Sequence, residues 1–164
     1  ALFDELIFNK GADASIKRGA LEGTFAFGGL RVLPTLFKVL EQSPEGPLRA
    51  MGLEMIAEYR SADFNKALKF ALGQNDAQLL ASAIRLLWDA ELPNDEIIEY
   101  HRKFSLSSEQ PVWQEALDGL RNAPYVSVAT VFKEVVRKSD GLRQQIAVRY
   151  YRSWLREFPD LVIR

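Results

Sequence analysis

The chain has no cysteine and a single histidine, His101, among its 164 residues. Without cysteine there is no disulfide framework, no thiol nucleophile and no cysteine-ligated metal. One imidazole excludes any site that needs two, including the zinc sites built on paired histidines. His101 follows Tyr100 in a helical segment and reads as structural or solvated rather than catalytic. Long apolar runs are missing too, since no uncharged stretch approaches the ~18 apolar residues that argue for a membrane span. The first residues are interrupted by Asp4 and Glu5 and led by no basic segment, so they do not resemble a signal peptide. The expected compartment is the cytoplasm. Beginning at Ala1 and ending just after the apolar Leu161 to Ile163, the sequence is read as a processed protein or an excised piece of a longer one.

An excess of either charge is absent as well. The chain carries 21 basic and 22 acidic residues, with 48% hydrophobic and 26% charged overall. This is the composition of a globular chain, without a disorder signal or a global nucleic-acid signature. The length fits one domain over residues 1–164. There is no P-loop, no nucleophile elbow and no nucleophile with a base at recognisable spacing, so the expectation is a non-enzyme with no cofactor and no metal.

What the sequence does have is a repeat. The pattern small, aliphatic, charged occurs as Ala20-Leu21-Glu22, Gly52-Leu53-Glu54, Ala83-Ile84-Arg85, Ala116-Leu117-Asp118 and Ala147-Val148-Arg149, at spacings of 32, 31, 33 and 31 residues. A second register agrees: Phe8, Leu40, Leu72, Phe104 and Val136 fall 32 apart, and Leu36, Leu68, Tyr100 and Phe132 precede the last four by four residues. Apolar residues at i and i+4 share one helical face, so each unit is expected to hold two helices.

The predicted first helices run roughly over 2–9, 30–42, 62–73, 94–104 and 125–138, and the second helices over 14–27, 47–60, 77–91, 109–122 and 141–157. The corresponding repeats span about 1–28, 29–60, 61–92, 93–123 and 124–160. Asp76, Ser108 and Asp140, spaced by 32, are expected to cap second helices, and Pro47 and Pro111 suit first turns. Val126-Ser127-Val128-Ala129 alternates like a strand but falls in the repeat register, so helix is assigned. Gly28-Gly29 reads as a helix stop, and Gly19 and Gly23 weaken the second helix of the first repeat.

These units resemble HEAT-like repeats, especially the short kind found in phycobilisome-lyase-type proteins. The residues carrying the likeness are Leu48-Arg49-Ala50-Met51-Gly52-Leu53-Glu54-Met55-Ile56, Ile16-Lys17-Arg18-Gly19-Ala20-Leu21-Glu22 and Leu142-Arg143-Gln144-Gln145-Ile146-Ala147. The fourth unit departs from it, with Val112-Trp113-Gln114 where basic residues are typical. The resemblance implies an all-α, right-handed α-α superhelix, a solenoid of about five repeats whose second helices line a concave face. Stacking repeats in this way forms a core that one hairpin cannot form alone.

On such a face, Glu22, Glu54, Arg85, Asp118 and Arg149 form a ladder, and Arg18 and Arg49 lie beside it. The alternative to partner contact is pairing between neighbouring repeats, which the mixed signs favour. Charge is segregated along the chain: residues 89–118 are net −6 and residues 119–164 net +5. The last helix concentrates the positive charge, with Arg143 near its start and Arg149, Arg152 and Arg156 on one face beside Tyr150 and Trp154.

Arginine among aromatics can bind another protein or stack on nucleic-acid bases, while the plainer reading is aromatic packing under a polar end cap. The function expected is a protein-interaction scaffold using the concave face or this basic helix. The alternatives are nucleic-acid binding through the same helix and an accessory role in a chromophore lyase. Trp88-Asp89, Trp113 and Trp154 also invite comparison with HEAT-like DNA glycosylases, but mixed inner-face charge and the acidic segment oppose it. Leu2, Phe3, Leu6 and Ile7 at one end, with Leu161, Val162 and Ile163 at the other, are expected to be exposed and to favour continuation or self-association.

Overall fold

The computed structural model of the protein describes residues 2–162, and among them every regular element is helical. The α-helices are α1 (Leu2–Phe8), α2 (Ala14–Gly28), α3 (Leu33–Gln42), α4 (Gly46–Glu58), α5 (Ala62–Leu72), α6 (Ala77–Arg85), α7 (Asn94–Ser105), α8 (Gln110–Leu120), α9 (Val126–Lys138) and α10 (Gly141–Glu157). They follow the expected alternation of first and second helices, and Val126-Ser127-Val128-Ala129 opens α9 as helix. The chain divides into two compact units, Ala1–Ala90 and Glu91–Arg164, a boundary that falls close to the predicted junction between the third and fourth repeats.

Each unit has the same internal logic. In the first, α1 packs on α2, α3 on α4 and α5 on α6, while α2, α4 and α6 lie side by side as one layer and α3 lies against α5 in the other. In the second, α7 packs on α8 and α9 on α10, with α8 against α10 and α7 against α9. The repeated triplet explains the layering: Ala20, Leu21, Leu53, Ala83, Ile84, Ala116, Leu117 and Ala147 are buried, Gly52 with them. The charged third member is exposed in every unit. Fully burying a leucine or isoleucine stabilises by roughly 1.5–3 kcal/mol, so this register dominates what holds neighbouring helices together. Leu36, Leu40, Leu68 and Phe132 from the other register are also fully buried.

Local chemistry sets the ends. Asp13 accepts from the Ser15 amide at 2.7 Å and Asp76 from the Leu79 amide at 2.8 Å, each relieving an amide that opens a helix. Pro47 and Pro111 stand in first turns as expected. Two predicted caps differ. Ser108 does not cap α8; Ser107 accepts from the Glu109 amide at 3.1 Å instead. Asp140 occupies the cap position of α10 but makes no side-chain cap bond.

Two helices also begin or end differently from the prediction. Pro34 has no N–H to donate backward, so residues Gly29–Val32 form a 3-10 turn before α3 starts at Leu33. Helix α6 stops at Arg85, and a 3-10 turn over Leu87–Asp89 places Leu87 in the core. Gly28-Gly29 does end α2, with Gly29 at a φ of 53°. At the next junction Arg60 takes a φ of 44°, a conformation that costs a non-glycine residue roughly 1–2 kcal/mol.

The expectation of exposed ends holds in part. Phe3 and Val162 are exposed, but Ile7 is buried against its own pair and Leu6 and Leu161 are half-buried. The Leu2 side chain and Ile163 lie outside the described residues.

Candidate partner-binding groove on the last helix

Helix α10 begins where the backbone bonds of α9 end, and its residues alternate between two tasks. Ile146, Ala147, Tyr150 and Trp154 recur at three- and four-residue spacing and are buried. Arg149, Arg152, Ser153 and Arg156 face outward. The aromatics are committed to the protein itself. Trp154 is fully buried and its Nε1 donates to the Ala123 carbonyl at 2.8 Å. Tyr150 donates its hydroxyl to Asp118 at 2.5 Å. Burial, then the bonded Asp118 carboxylate, raises the Tyr150 hydroxyl above its usual phenol value, against the opposing influence of Arg121 and Arg149. The hydroxyl therefore remains a donor at neutral pH.

The outward residues line a groove of about 790 Å³ together with Arg121, Gln144, Gln145, Val148 and the buried Tyr150. Its four arginines are Arg121, Arg149, Arg152 and Arg156, and among the described residues no acid lines it. Arg121 and Arg149 lie over the Tyr150 ring, with guanidinium carbons 4.5 and 5.7 Å from its centroid. Among the described residues none of the four is in an ion pair. From Arg149 to Arg156 the helix rises ~10 Å, so three guanidinium groups repeat along the groove at close intervals. Planar, permanently charged and weakly hydrated, guanidinium groups suit bidentate recognition of carboxylates and phosphates.

The remaining predicted site residues are placed elsewhere and are occupied. Arg143 donates to the Ser105 carbonyl at 3.4 Å and lies over Trp113. Arg49 donates to the Leu40 carbonyl at 2.8 Å and to Gln74 at 2.9 Å, tying α4 to α3 and to the turn after α5. Glu54 accepts from Ser82 at 2.9 Å and pairs with Arg85 at 3.6 Å. Arg18 and Glu22 pair at 3.6 Å on exposed turns of α2. Of the ladder, Glu54, Arg85 and Asp118 therefore bond between neighbouring repeats within a unit, while Arg149 alone joins the groove.

Arg121 was missed by the sequence reading, although the signal existed. The 31-residue offset that aligns Ala116 with Ala147 also aligns Arg121 with Arg152. Glu99 of α7 and Glu134 of α9 are occupied within the chain: Arg102 binds Glu99 at 2.6 Å and Glu134 at 3.2 Å, and Lys138 joins Glu134 at 2.7 Å. Among the described residues no cluster of histidine, cysteine and acids could hold a metal ion, and no helix is long and apolar enough to cross a membrane. Comparison with known families, curated proteins and solved structures finds no match to this chain.

Proposed function

We propose that the chain is a right-handed solenoid of HEAT-like repeats acting in the cytoplasm as a non-enzymatic interaction scaffold, and that the groove on α10 receives an acidic segment of a partner protein. The observation that carries this reading is the set of four arginines, Arg121, Arg149, Arg152 and Arg156, lining one groove, with no ion pair and no lining acid among the described residues. A polar end cap needs exposed charge but not four arginines lining one groove, whereas a carboxylate-rich segment would meet a row of charged donors there.

Nucleic acid is the second reading, because phosphates satisfy the same donors. The aromatics decide between them. Single-stranded binders stack bases on exposed rings, and here Tyr150 and Trp154 are buried and hydrogen-bonded.

The test is a fluorescence-anisotropy titration of a labelled Glu/Asp-rich peptide and a labelled oligonucleotide against the wild type and an Arg149→Ala/Arg152→Ala/Arg156→Ala variant. The peptide is expected to bind the wild type and lose affinity in the variant. Tighter oligonucleotide binding, falling steeply between ~50 and ~200 mM salt, would transfer the function to nucleic acid. No variant-sensitive binding of either probe would remove the groove from the proposal.

A further inference from the structure

Every second helix that follows another in its unit turns the same stripe toward its predecessor. At the C-terminal cap of α4, Tyr59 donates to the carbonyl of Gly29, the cap of α2, at 2.9 Å. On α6, Ser82 donates to Glu54 at 2.9 Å, and on α10, Tyr150 and Trp154 donate to Asp118 and to the Ala123 carbonyl. The aligned stripe on α2 is Ile16, Gly19, Gly23 and Phe27. The column that is 5% exposed at Leu48 and 0% at Leu79 is 49% exposed at Ile16. The column that is 0% exposed at Trp154 is 85% exposed at Phe27. Phe3 and Leu30 add exposed apolar surface nearby, and Phe3 and Phe27 border a hollow of about 250 Å³.

We infer that this face of α1 and α2 is a self-docking surface, on which a second copy of the chain packs its own α2 about a two-fold axis. Three observations select the occupant. The face continues the interface by which α2, α4 and α6 already pack, so it is shaped for a second helix of this repeat. Helix α2 of another copy is such a helix and carries a matching apolar stripe, as an isologous contact requires. The opposite candidate, α10, presents arginines that would be desolvated against Ile16 and Phe27.

The glycines agree with close approach. A Cβ at Gly23 would lie 3.0 Å from the Phe3 ring, a tight approach within the chain. Gly19 has nothing within 4 Å of its would-be Cβ, so no neighbour in its own unit requires a residue that weakens a helix. In an antiparallel two-fold pairing, Ile16 of one copy sits opposite Phe27 of the other and Gly19 lies near the axis, where a second backbone can come close. The anchors at the two ends of the stripe are ~16 Å apart along the helix.

Sedimentation equilibrium of the chain from ~1 to ~200 µM, a range matched to affinities of micromolar order, tests the proposal independently of the α10 groove. The expected result is a reversible monomer–dimer equilibrium. Phe27→Glu and Ile16→Glu, both at exposed positions, should leave a monomer, and Gly19→Leu should weaken association by about tenfold or more. Leu142→Glu and Val126→Glu, at exposed apolar positions in the other unit, should leave it unchanged. A monomer throughout the range, assembly beyond a dimer, a dimer that survives Phe27→Glu, or one lost with Leu142→Glu would each overturn the inference.

Discussion

His101 on α7 sits so close to Gly119 on α8 that a Cβ there would fall 2.2 Å from the ring's Cε1. The ring is fully buried, and its Nδ1–H donates to the Ala116 carbonyl at 3.0 Å, which fixes the neutral tautomer. The aligned positions hold Gly23, Met55, Leu86 and Tyr150, so the repeat itself does not demand glycine. The imidazole demands it at Gly119, whereas at Gly23 a Cβ would only crowd the exposed Phe3 ring.

Replacing Gly119 with alanine should therefore destabilise the protein, although alanine is the better helix former. Overpacking a filled interior costs typically 1–3 kcal/mol, against the ~1 kcal/mol that alanine gains in helix propensity. A net loss of up to about 2 kcal/mol in urea denaturation is expected. Gly119→Ala combined with His101→Ala should recover part of the helix-propensity gain, because the clash is gone.

Burial pushes the His101 imidazole down to about 4, opposed only in part by its bond to Ala116. A folded-state pKa below the unfolded one means that the folded protein binds the proton less well. The contribution is fully present above about pH 6.5 and is lost as pH falls toward about 4, with a total approaching 3 kcal/mol. Stability measured from pH 7 to pH 4 should fall along this slope in the wild type. In His101→Asn, whose side-chain amide can still donate to Ala116, the slope over that interval should flatten. Glu99 and Glu134, held below the usual carboxylate range chiefly by bonds to Arg102 and Lys138 respectively, contribute at lower pH in both proteins.

The arginines divide into two classes that a stability measurement separates. Arg49→Ala removes donors from the Leu40 carbonyl and Gln74 and should cost about 1–3 kcal/mol. Arg152→Ala removes an exposed side chain with no ion pair among the described residues and should stay within about 0.5 kcal/mol. Equal thermal and urea stability of the two variants would contradict this division.

The helices were legible because burial repeats with the sequence: the triplet ending at Glu22 recurs in every unit and its apolar members are buried throughout, save Val148, which is half-buried. What escaped was set by single atoms rather than by period. The short α6 and the 3-10 start before α3 depend on local i to i+3 bonding and on Pro34, which interrupt a pattern that otherwise favours continuous helix. The charge ladder was legible as pairing between repeats, and Glu54 with Arg85 shows it. The groove was half visible: Arg149, Arg152 and Arg156 follow from helical spacing. Arg121 enters from the end of a different helix and requires the repeat offset to be applied outside the triplet. Tyr150 and Trp154 pack within the protein, as the plainer reading expects, but their acceptors Asp118 and Ala123 follow only from the structure.

The near-constant repeat spacing also governs how the chain can reach its structure. Among the described residues, bonds linking neighbouring pairs join residues a repeat or so apart, such as Arg102 with Glu134 and Tyr150 with Asp118 at 32, and Arg143 with Ser105 at 38. No such bond requires the closure of a long loop, and closure entropy is what slows proteins dominated by distant contacts. Folding can begin within any adjacent pair of hairpins and spread to its neighbours, so the search for the native state is divided into short, nearly equivalent steps.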